Sequence, residues 1–290
     1  MTFREVEQIY LEALTTLYNK QEAGSLAWLS ICHVCKFNRS EYLNLKNTEI
    51  PTDQYESLLN ILKALKTGKP FQYVIGETEF YGLTFKVNPS VLIPRPETEE
   101  LVEWILSDIR KSKISPDGIK IIDIGTGSGC IPISLKINLP NAKLYAVDVS
   151  TEALDVSRQN STLNNVAIHF IQDDILNPIS EELKNEKFGV IVSNPPYVLD
   201  AEKPKMLPNV LDHEPHLALF VPDDDPLIFY KAIADFAIKN SDINVALYLE
   251  INENLAEETV TLLKHMGFKN IELRQDLSGK DRMIRSHYIN

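Results

Sequence analysis

The sequence predicts an α/β protein: a mostly parallel, doubly wound sheet preceded by a small helical bundle. Three observations carry this. From residue 119 onward, short apolar runs alternate with helical patterns, as in a parallel sheet covered on both faces. Residues 1 to about 70 show only the period of amphipathic helices. Between them, β-forming residues flank Gly82 and predict a hairpin.

In the N-terminal part, Val6, Ile9, Tyr10, Ala13, Leu14 and Leu17 form one helical stripe. A second helix runs through Leu26, Trp28, Leu29 and Cys32, and a short one follows Ser40, read as its N-cap. The next begins near Thr52 or Asp53 and carries Tyr55, Leu58, Leu59, Leu62 and Leu65 on one face, until Gly68 and Pro70 stop it. The hairpin takes Phe80, Tyr81, Leu83, Phe85 and Val87. Pro96 then opens a helix whose early acids complement its dipole. Strands are expected at 119–124, 144–148, 168–172, 190–193, 245–250, 271–273 and 283–285. Helices are expected near 130–138, 151–162, 226–239 and 254–266. The division that follows is a helical domain at 1–75, a linking hairpin at 76–92 and the α/β domain at 93–290.

The 290 residues include 29 basic and 41 acidic ones, a net charge of −12. That balance opposes a surface built to grip a phosphate backbone, so direct nucleic-acid binding is not expected. Three cysteines cannot build a disulfide framework and suit a reducing cytoplasm. Cys32-His33-Val34-Cys35 is half a metal site with no second half, so no metal is expected. No apolar run has membrane-spanning length, and the N-terminus lacks a signal-peptide core. A cytoplasmic monomer is the expectation.

The first βα turn reads Asp123-Ile124-Gly125-Thr126-Gly127-Ser128-Gly129. Glycines there let a ligand approach the backbone at a helix N-terminus. Asp148 ends the next strand, where an acid accepts hydrogen bonds from ribose hydroxyls. The spacing is GxGxG rather than GxGxxG, and Asp123 would repel the pyrophosphate of a dinucleotide. Both features favour S-adenosyl-L-methionine and oppose a dehydrogenase. Asp173 and Asp174 end the third strand, and Asp174 with Ile175 is assigned to the adenine.

Asn194-Pro195-Pro196-Tyr197 follows the fourth strand. Two prolines end the strand and stiffen the turn beyond it. An amide or exocyclic amino nitrogen is a poor nucleophile, because its lone pair is delocalised. The Asn194 carboxamide oxygen and the Pro195 carbonyl can accept its two N–H bonds and turn that lone pair toward a methyl donor. Tyr197 can stack on the flat acceptor. Asn194 is expected beside the cofactor as well as the acceptor.

These motifs resemble those of the release-factor glutamine methyltransferases, the HemK/PrmC family. The likeness extends over nearly the whole chain. It includes Gly68 to Gly76, Phe80 to Phe85, Val91 to Glu99, Gly125 to Gly129, Asp148, Asn194 to Tyr197, His213-Glu214-Pro215, and Asp276-Leu277 with Asp281-Arg282. The resemblance implies a Rossmann-like class I methyltransferase domain. It also implies N5-methylation of the glutamine in the Gly-Gly-Gln loop of class I peptide chain release factors, with S-adenosyl-L-homocysteine as by-product and the helical domain contacting the release factor. Three positions depart from the family pattern. Ile175 stands where some relatives have an aromatic residue. Asp225-Pro226 replaces Asp-Gly, with Asp225 read as a helix cap and Pro226 as the first helical residue. Glu250-Ile251-Asn252 replaces Glu-Ile-Gly. Two other readings remain at this point: an amino-methyltransferase acting on a nucleic-acid base, and a binding partner that kept the fold without catalysis.

Overall fold

Local caps and one buried stripe explain the N-terminal helices. The computed structural model describes residues 1–112 and 118–289, the side chains of 242 and 243 excepted. Helix α1 (Phe3–Leu14) starts at Thr2, which forms a reciprocal capping box with Glu5. It ends before the predicted stripe does: Leu17 N–H and Tyr18 N–H both donate to the Leu14 carbonyl, and the tight turn leaves Leu17 exposed. Asn19 caps α2 (Lys20–Cys35). The cap of α3 (Arg39–Leu45) is Asn38, not Ser40 as expected, because Asn38 and Glu41 form the capping box. Helix α4 (Thr52–Leu65) and the short α5 (Phe71–Ile75) follow, the second opened by Pro70. Tyr10, Leu14, Ile31, Leu58 and Leu65 fill the core among them, and the Tyr10 hydroxyl donates to the Leu58 carbonyl at 2.6 Å.

The chain divides into two compact units, one of Met1–Gly76 with Leu207–His213, the other of Glu77–Met206 with the residues from Glu214 onward. The second begins with a hairpin of β1 (Glu77–Phe80) and β2 (Leu83–Lys86). Its two turn residues, Tyr81 and Gly82, both have positive φ, the geometry that matches strand twist in a two-residue connection.

Helix α6 (Pro96–Lys111) carries its proline in the first turn, as read from the sequence. Then β3 (Lys120–Ile124), α7 (Cys130–Asn138), β4 (Lys143–Asp148), α8 (Thr151–Leu163), β5 (His169–Gln172), the single turn α9 (Glu181–Lys184) and β6 (Phe188–Ser193) alternate. Past β6 come the short parallel pair β7 (Val198–Leu199) and β8 (Phe220–Val221), with the turn α10 (Pro208–Leu211) between them. Helix α11 (Ile228–Lys239), β9 (Ser241–Glu250), α12 (Ala256–His265), β10 (Lys269–Gln275) and β11 (Asp281–Ile289) complete the chain. Asp225 does not cap α11. Its carbonyl accepts the Ile228 N–H, so Asp225 and Pro226 form a turn and the helix starts two residues later.

The main sheet has seven strands in the order β10-β11-β9-β6-β3-β4-β5, parallel except that β11 runs against both its neighbours. Apolar cores lie on both faces: Ile122, Ile191, Leu247 and Phe236 on one, Ile121, Val190, Leu101 and Trp104 on the other. This is the alternation that a doubly covered sheet demands.

Asn160, fully buried in α8, joins the hairpin to the glycine turn. Its Oδ1 accepts the Lys86 N–H at 2.6 Å, and its Nδ2 donates to the carbonyls of Lys86 at 3.0 Å and Ser128 at 2.8 Å. Alanine at this position orphans three backbone groups. Asn160→Ala is expected to destabilise the protein by about 2–3 kcal/mol. Urea unfolding checks this, and an unchanged midpoint would refute it.

Candidate functional site

Beyond Ile124 the backbone turns through Gly125 to Gly129 into α7. The turn is pinned to the neighbouring strand, since Gly125 N–H and Thr126 N–H both donate to the Val147 carbonyl, at 2.8 and 2.9 Å. Gly127 has φ +55° and open space where a Cβ would sit, so its backbone faces the cavity directly. Gly129 serves differently. A Cβ there would lie 3.0 Å from Ser157 Cβ, so this glycine allows α7 and α8 to approach and does not line the cavity.

The cavity, of about 420 Å³, lies at the carboxyl edge of the sheet. It gathers Gly125, Thr126, Gly127, Ser128, Asp148, Asp174, Ile175, Asn194, Pro195 and Pro196 on one wall system. Asp123, Gly129 and Tyr197 are not on that wall. Asp148 accepts the Gly127 N–H at 2.8 Å and the Ser150 N–H at 3.0 Å, one bond to each carboxylate oxygen. The second lone pair of each oxygen is left for a ligand. Burial raises its pKa, and the backbone donors of Ser150 and Gly127 hold the rise back. Asp174 is tied into its own loop by Leu176 N–H at 3.0 Å and Asn177 Nδ2 at 2.6 Å. Ile175 both lines the cavity and packs on the core beneath it.

Asp123 lies below the cavity floor and is fully buried. Neither of its carboxylate oxygens, nor the Thr126 hydroxyl, has a hydrogen-bond partner among the described residues. Burial lifts the Asp123 carboxyl from 3.8 to about 7; nearby Thr126 opposes the rise, and the Asp148 charge adds to it. Orphaned polar atoms under a glycine turn fit a ligand that carries positive charge. Among the described wall residues the acids Asp148, Glu152, Asp173 and Asp174 face a single cation, Arg95.

The Asn194 turn is held by side chains from two other elements. Asn194 Nδ2 donates to Thr98 Oγ1 at 3.2 Å, and Thr98 donates to Glu250 Oε2 at 2.7 Å. The Tyr197 hydroxyl donates to the other oxygen, Glu250 Oε1, at 3.0 Å. Tyr197 is thus anchored by its hydroxyl rather than standing free over the cavity. Asn252 holds the opposite end of the same residue: its Nδ2 donates to the Tyr197 carbonyl at 2.9 Å and to Glu202 at 3.0 Å. A glycine at this position would supply neither bond. Burial pushes the Glu250 carboxyl up, while Thr98, Tyr197 and Arg282 pull it down.

Arg95 reaches the cavity with one Nη bonded to Glu214 Oε1 at 2.6 Å; Glu214 also accepts the Ile93 N–H at 3.2 Å. Thr98, Arg95 and Glu250 were not assigned roles from the sequence. The available signal for Glu250 was its place at a strand's carboxyl end, the position that singled out Asp148. Thr98 in the first turn of a helix gave none.

In the unfolded chain the Asp123 carboxyl titrates near 3.8, so between about pH 4 and 7 only the folded state keeps that proton. Its contribution to stability therefore falls as pH rises across this window and levels off above about 7, a loss of at most about 4 kcal/mol. Asp123→Asn is expected to flatten that part of the profile in the cofactor-free protein. Urea midpoints at pH 5 and pH 8 measure it, and a difference that survives the substitution would assign the effect elsewhere.

Two family models match the chain: the Methyltransferase small domain over residues 103–214 and the PrmC N-terminal domain over residues 8–76. The release factor glutamine methyltransferase of Flavobacterium psychrophilum is 45% identical over 99% of this chain and 100% of its own length. That of Bacteroides thetaiotaomicron is 37% identical over 95% and 96%. Among solved structures, the catalytic domain of hMettl16 in complex with the MAT2A 3′UTR hairpin 6 superposes with a TM-score of 0.53 at 17% identity, covering 72% of this chain and 76% of that one. This second kind of likeness shows the class I methyltransferase fold. With near full-length identity of this order and a helical unit matched by its own family model, the chain belongs to the release factor glutamine methyltransferase family.

Proposed function

We propose that this protein transfers a methyl group from S-adenosyl-L-methionine to the side-chain amide nitrogen, N5, of the glutamine in the Gly-Gly-Gln loop of class I peptide chain release factors. The observation that carries the reading is that the Asn194-Pro195-Pro196 turn faces the same cavity as the glycine turn and Asp148. Donor and acceptor sites then meet at the ends of adjacent strands, β3 and β6. Near full-length kinship with enzymes named for this substrate supports the choice of acceptor.

The cofactor would lie along the turn from Gly125 to Ser128, with its ribose on Asp148 and its adenine near Asp174 and Ile175. When bound it supplies an electrophilic methyl group on a cationic sulfur. The acidic wall and the unpaired Asp123 beneath it suit that charge. Asn194 Oδ1 and the Pro195 carbonyl accept the two N–H bonds of the substrate amide. That grip turns its lone pair toward the methyl group and opposes delocalisation into the carbonyl. Methylation acidifies the nitrogen, so its proton leaves without a strong general base. Buried Pro195 and the apolar wall exclude water from the reacting atoms. No helix among the described residues is long and apolar enough to cross a membrane.

The test is peptide mass spectrometry of an unmethylated class I release factor after incubation with the protein and S-adenosyl-L-methionine. A single methyl on the glutamine of the Gly-Gly-Gln peptide is expected. No methyl on that peptide, with the cofactor bound, would transfer the reading to nucleic-acid amino groups. Asn194→Ala is expected to lower kcat by about 100-fold or more while cofactor affinity stays within about threefold; parallel losses would contradict the orienting role. Asp148→Ala is expected to weaken cofactor binding by about 10- to 100-fold, and calorimetry showing an unchanged Kd would remove Asp148 from the ribose site.

A further inference from the structure

The proposed reaction requires one face of the Asn194 carboxamide, its oxygen, to meet the substrate N–H. A carboxamide has two nearly isosteric orientations, and the wrong one presents an NH₂ donor to another NH₂ donor. We infer that Thr98, fixed by Glu250, is the positioning residue that selects the productive orientation of Asn194. This rests on the methyl-transfer reading of the site and adds to it the element that sets its polarity.

Thr98 is 2% exposed and Glu250 is 1% exposed, so their bonding is completed chiefly by protein groups. Thr98 has one hydroxyl proton. Glu250 as a carboxylate only accepts, and it takes two protons: that of Thr98 on Oε2 at 2.7 Å and that of Tyr197 on Oε1 at 3.0 Å. Burial pushes the Glu250 carboxyl up, and the hydrogen bonds from Thr98 and Tyr197, followed by the Arg282 charge, act against that rise and favour the carboxylate. With its proton committed to Glu250, Thr98 Oγ1 turns only lone pairs toward Asn194, and it accepts the Nδ2 hydrogen at 3.2 Å. In the reversed amide, Asn194 Oδ1 would meet those lone pairs with no proton between them. The chain of donors from Asn194 through Thr98 to Glu250 thus has one sense. It leaves Oδ1 as the acceptor free for a ligand in the cavity that Asn194 and Thr98 both line.

The rest of the turn is held against the same strand end. Glu250 and Asn252, two residues apart at the end of β9, bind the Tyr197 hydroxyl and carbonyl respectively. Tyr197 then fixes the turn, and Thr98 sets the polarity of the group the turn carries.

The test compares Thr98→Val, which keeps the shape and removes the hydroxyl, with Thr98→Ser, which restores it, in the full-length protein. Turnover on an unmethylated release factor is expected to fall about 10- to 100-fold in Thr98→Val through kcat, with KM and cofactor Kd within about threefold. Thr98→Ser should return to within about threefold of the parent. In an Asn194→Ala background, Thr98→Val should cause no further loss, because its effect passes through the missing amide. Full kcat in Thr98→Val, or losses that multiply, would overturn the inference. A second readout needs no turnover: the side-chain amide protons of Asn194, assigned by NMR from their loss in Asn194→Ala, should exchange slowly in the parent and faster in Thr98→Val. Exchange at the rate of a free amide in the parent would overturn the inference whether or not the release factor is methylated. A parent protein inactive on the release factor would overturn the substrate reading and leave this measurement to decide the amide's orientation.

Discussion

Four neighbouring strands of this sheet run in one direction, and each ends in the chemistry of the site. β3 gives way to the glycine turn, β4 ends on Asp148, β6 runs into Asn194, and β9 ends on Glu250. Neighbouring parallel strands lie roughly 4.8 Å apart, so the sheet sets the spacing between the cofactor-facing and acceptor-facing groups before any loop is considered. Loops vary; the interstrand ladder does not. The glycine turn, Asp148, Asn194 and Glu250 are attached to that edge directly, and Thr98 and Tyr197 are bonded to Glu250.

Two carboxyl groups near this edge show how differently burial can be resolved. Glu250 is surrounded by donors: Thr98 and Tyr197 bond to its oxygens and Arg282 lies nearby. It organises the polypeptide. Asp123 has no such company and sits under the glycine turn with its oxygens unmatched. An unsatisfied buried acid is destabilising, and sites that bind ligands are where such costs persist. The first carboxyl completes the protein's own structure; burial holds the second toward its protonated form, and a cationic ligand nearby would favour its charge.

The fold class was legible because it rests on periodicity, which needs only the order of apolar residues. The strands of the main sheet and the helices α7, α8, α11 and α12 read directly from the sequence, as do the helical start at Pro96 and the turn at Gly82, whereas α9, α10 and the pair β7 and β8 do not. Element ends were less legible. Asn38 in place of Ser40, the early end of α1 before Leu17 and the late start of α11 after Pro226 all depend on which of several suitable polar or turn residues takes the cap. At the site, the glycine turn, Asp148 and Asn194 could be found because each lies within a few residues of the strand end it serves. Thr98 and Glu250 could not be paired from the sequence, because 152 residues separate them and the bond exists only after the sheet forms. The spacing that identified Tyr197 as a partner for substrate could not foresee that its hydroxyl would be taken by Glu250. Nor does a departure such as Asn252 announce its use until Tyr197 and Glu202 are seen on its amide.

The segment Leu207–His213 belongs to the helical unit although it is encoded far downstream, within the α/β half of the chain. His213 reaches back to the Thr67 carbonyl at 3.3 Å, and the Gly68 backbone leaves room beside its ring. The polypeptide therefore crosses between the units at 76–77, 206–207 and 213–214. In genetic terms the helical unit is not a cassette bounded by one junction. Recombination that exchanged only residues 1–76 between two relatives would transplant an incomplete body and strand its sixth helix, α10, in the recipient's downstream sequence. The two stretches must be inherited, or engineered, as a matched set.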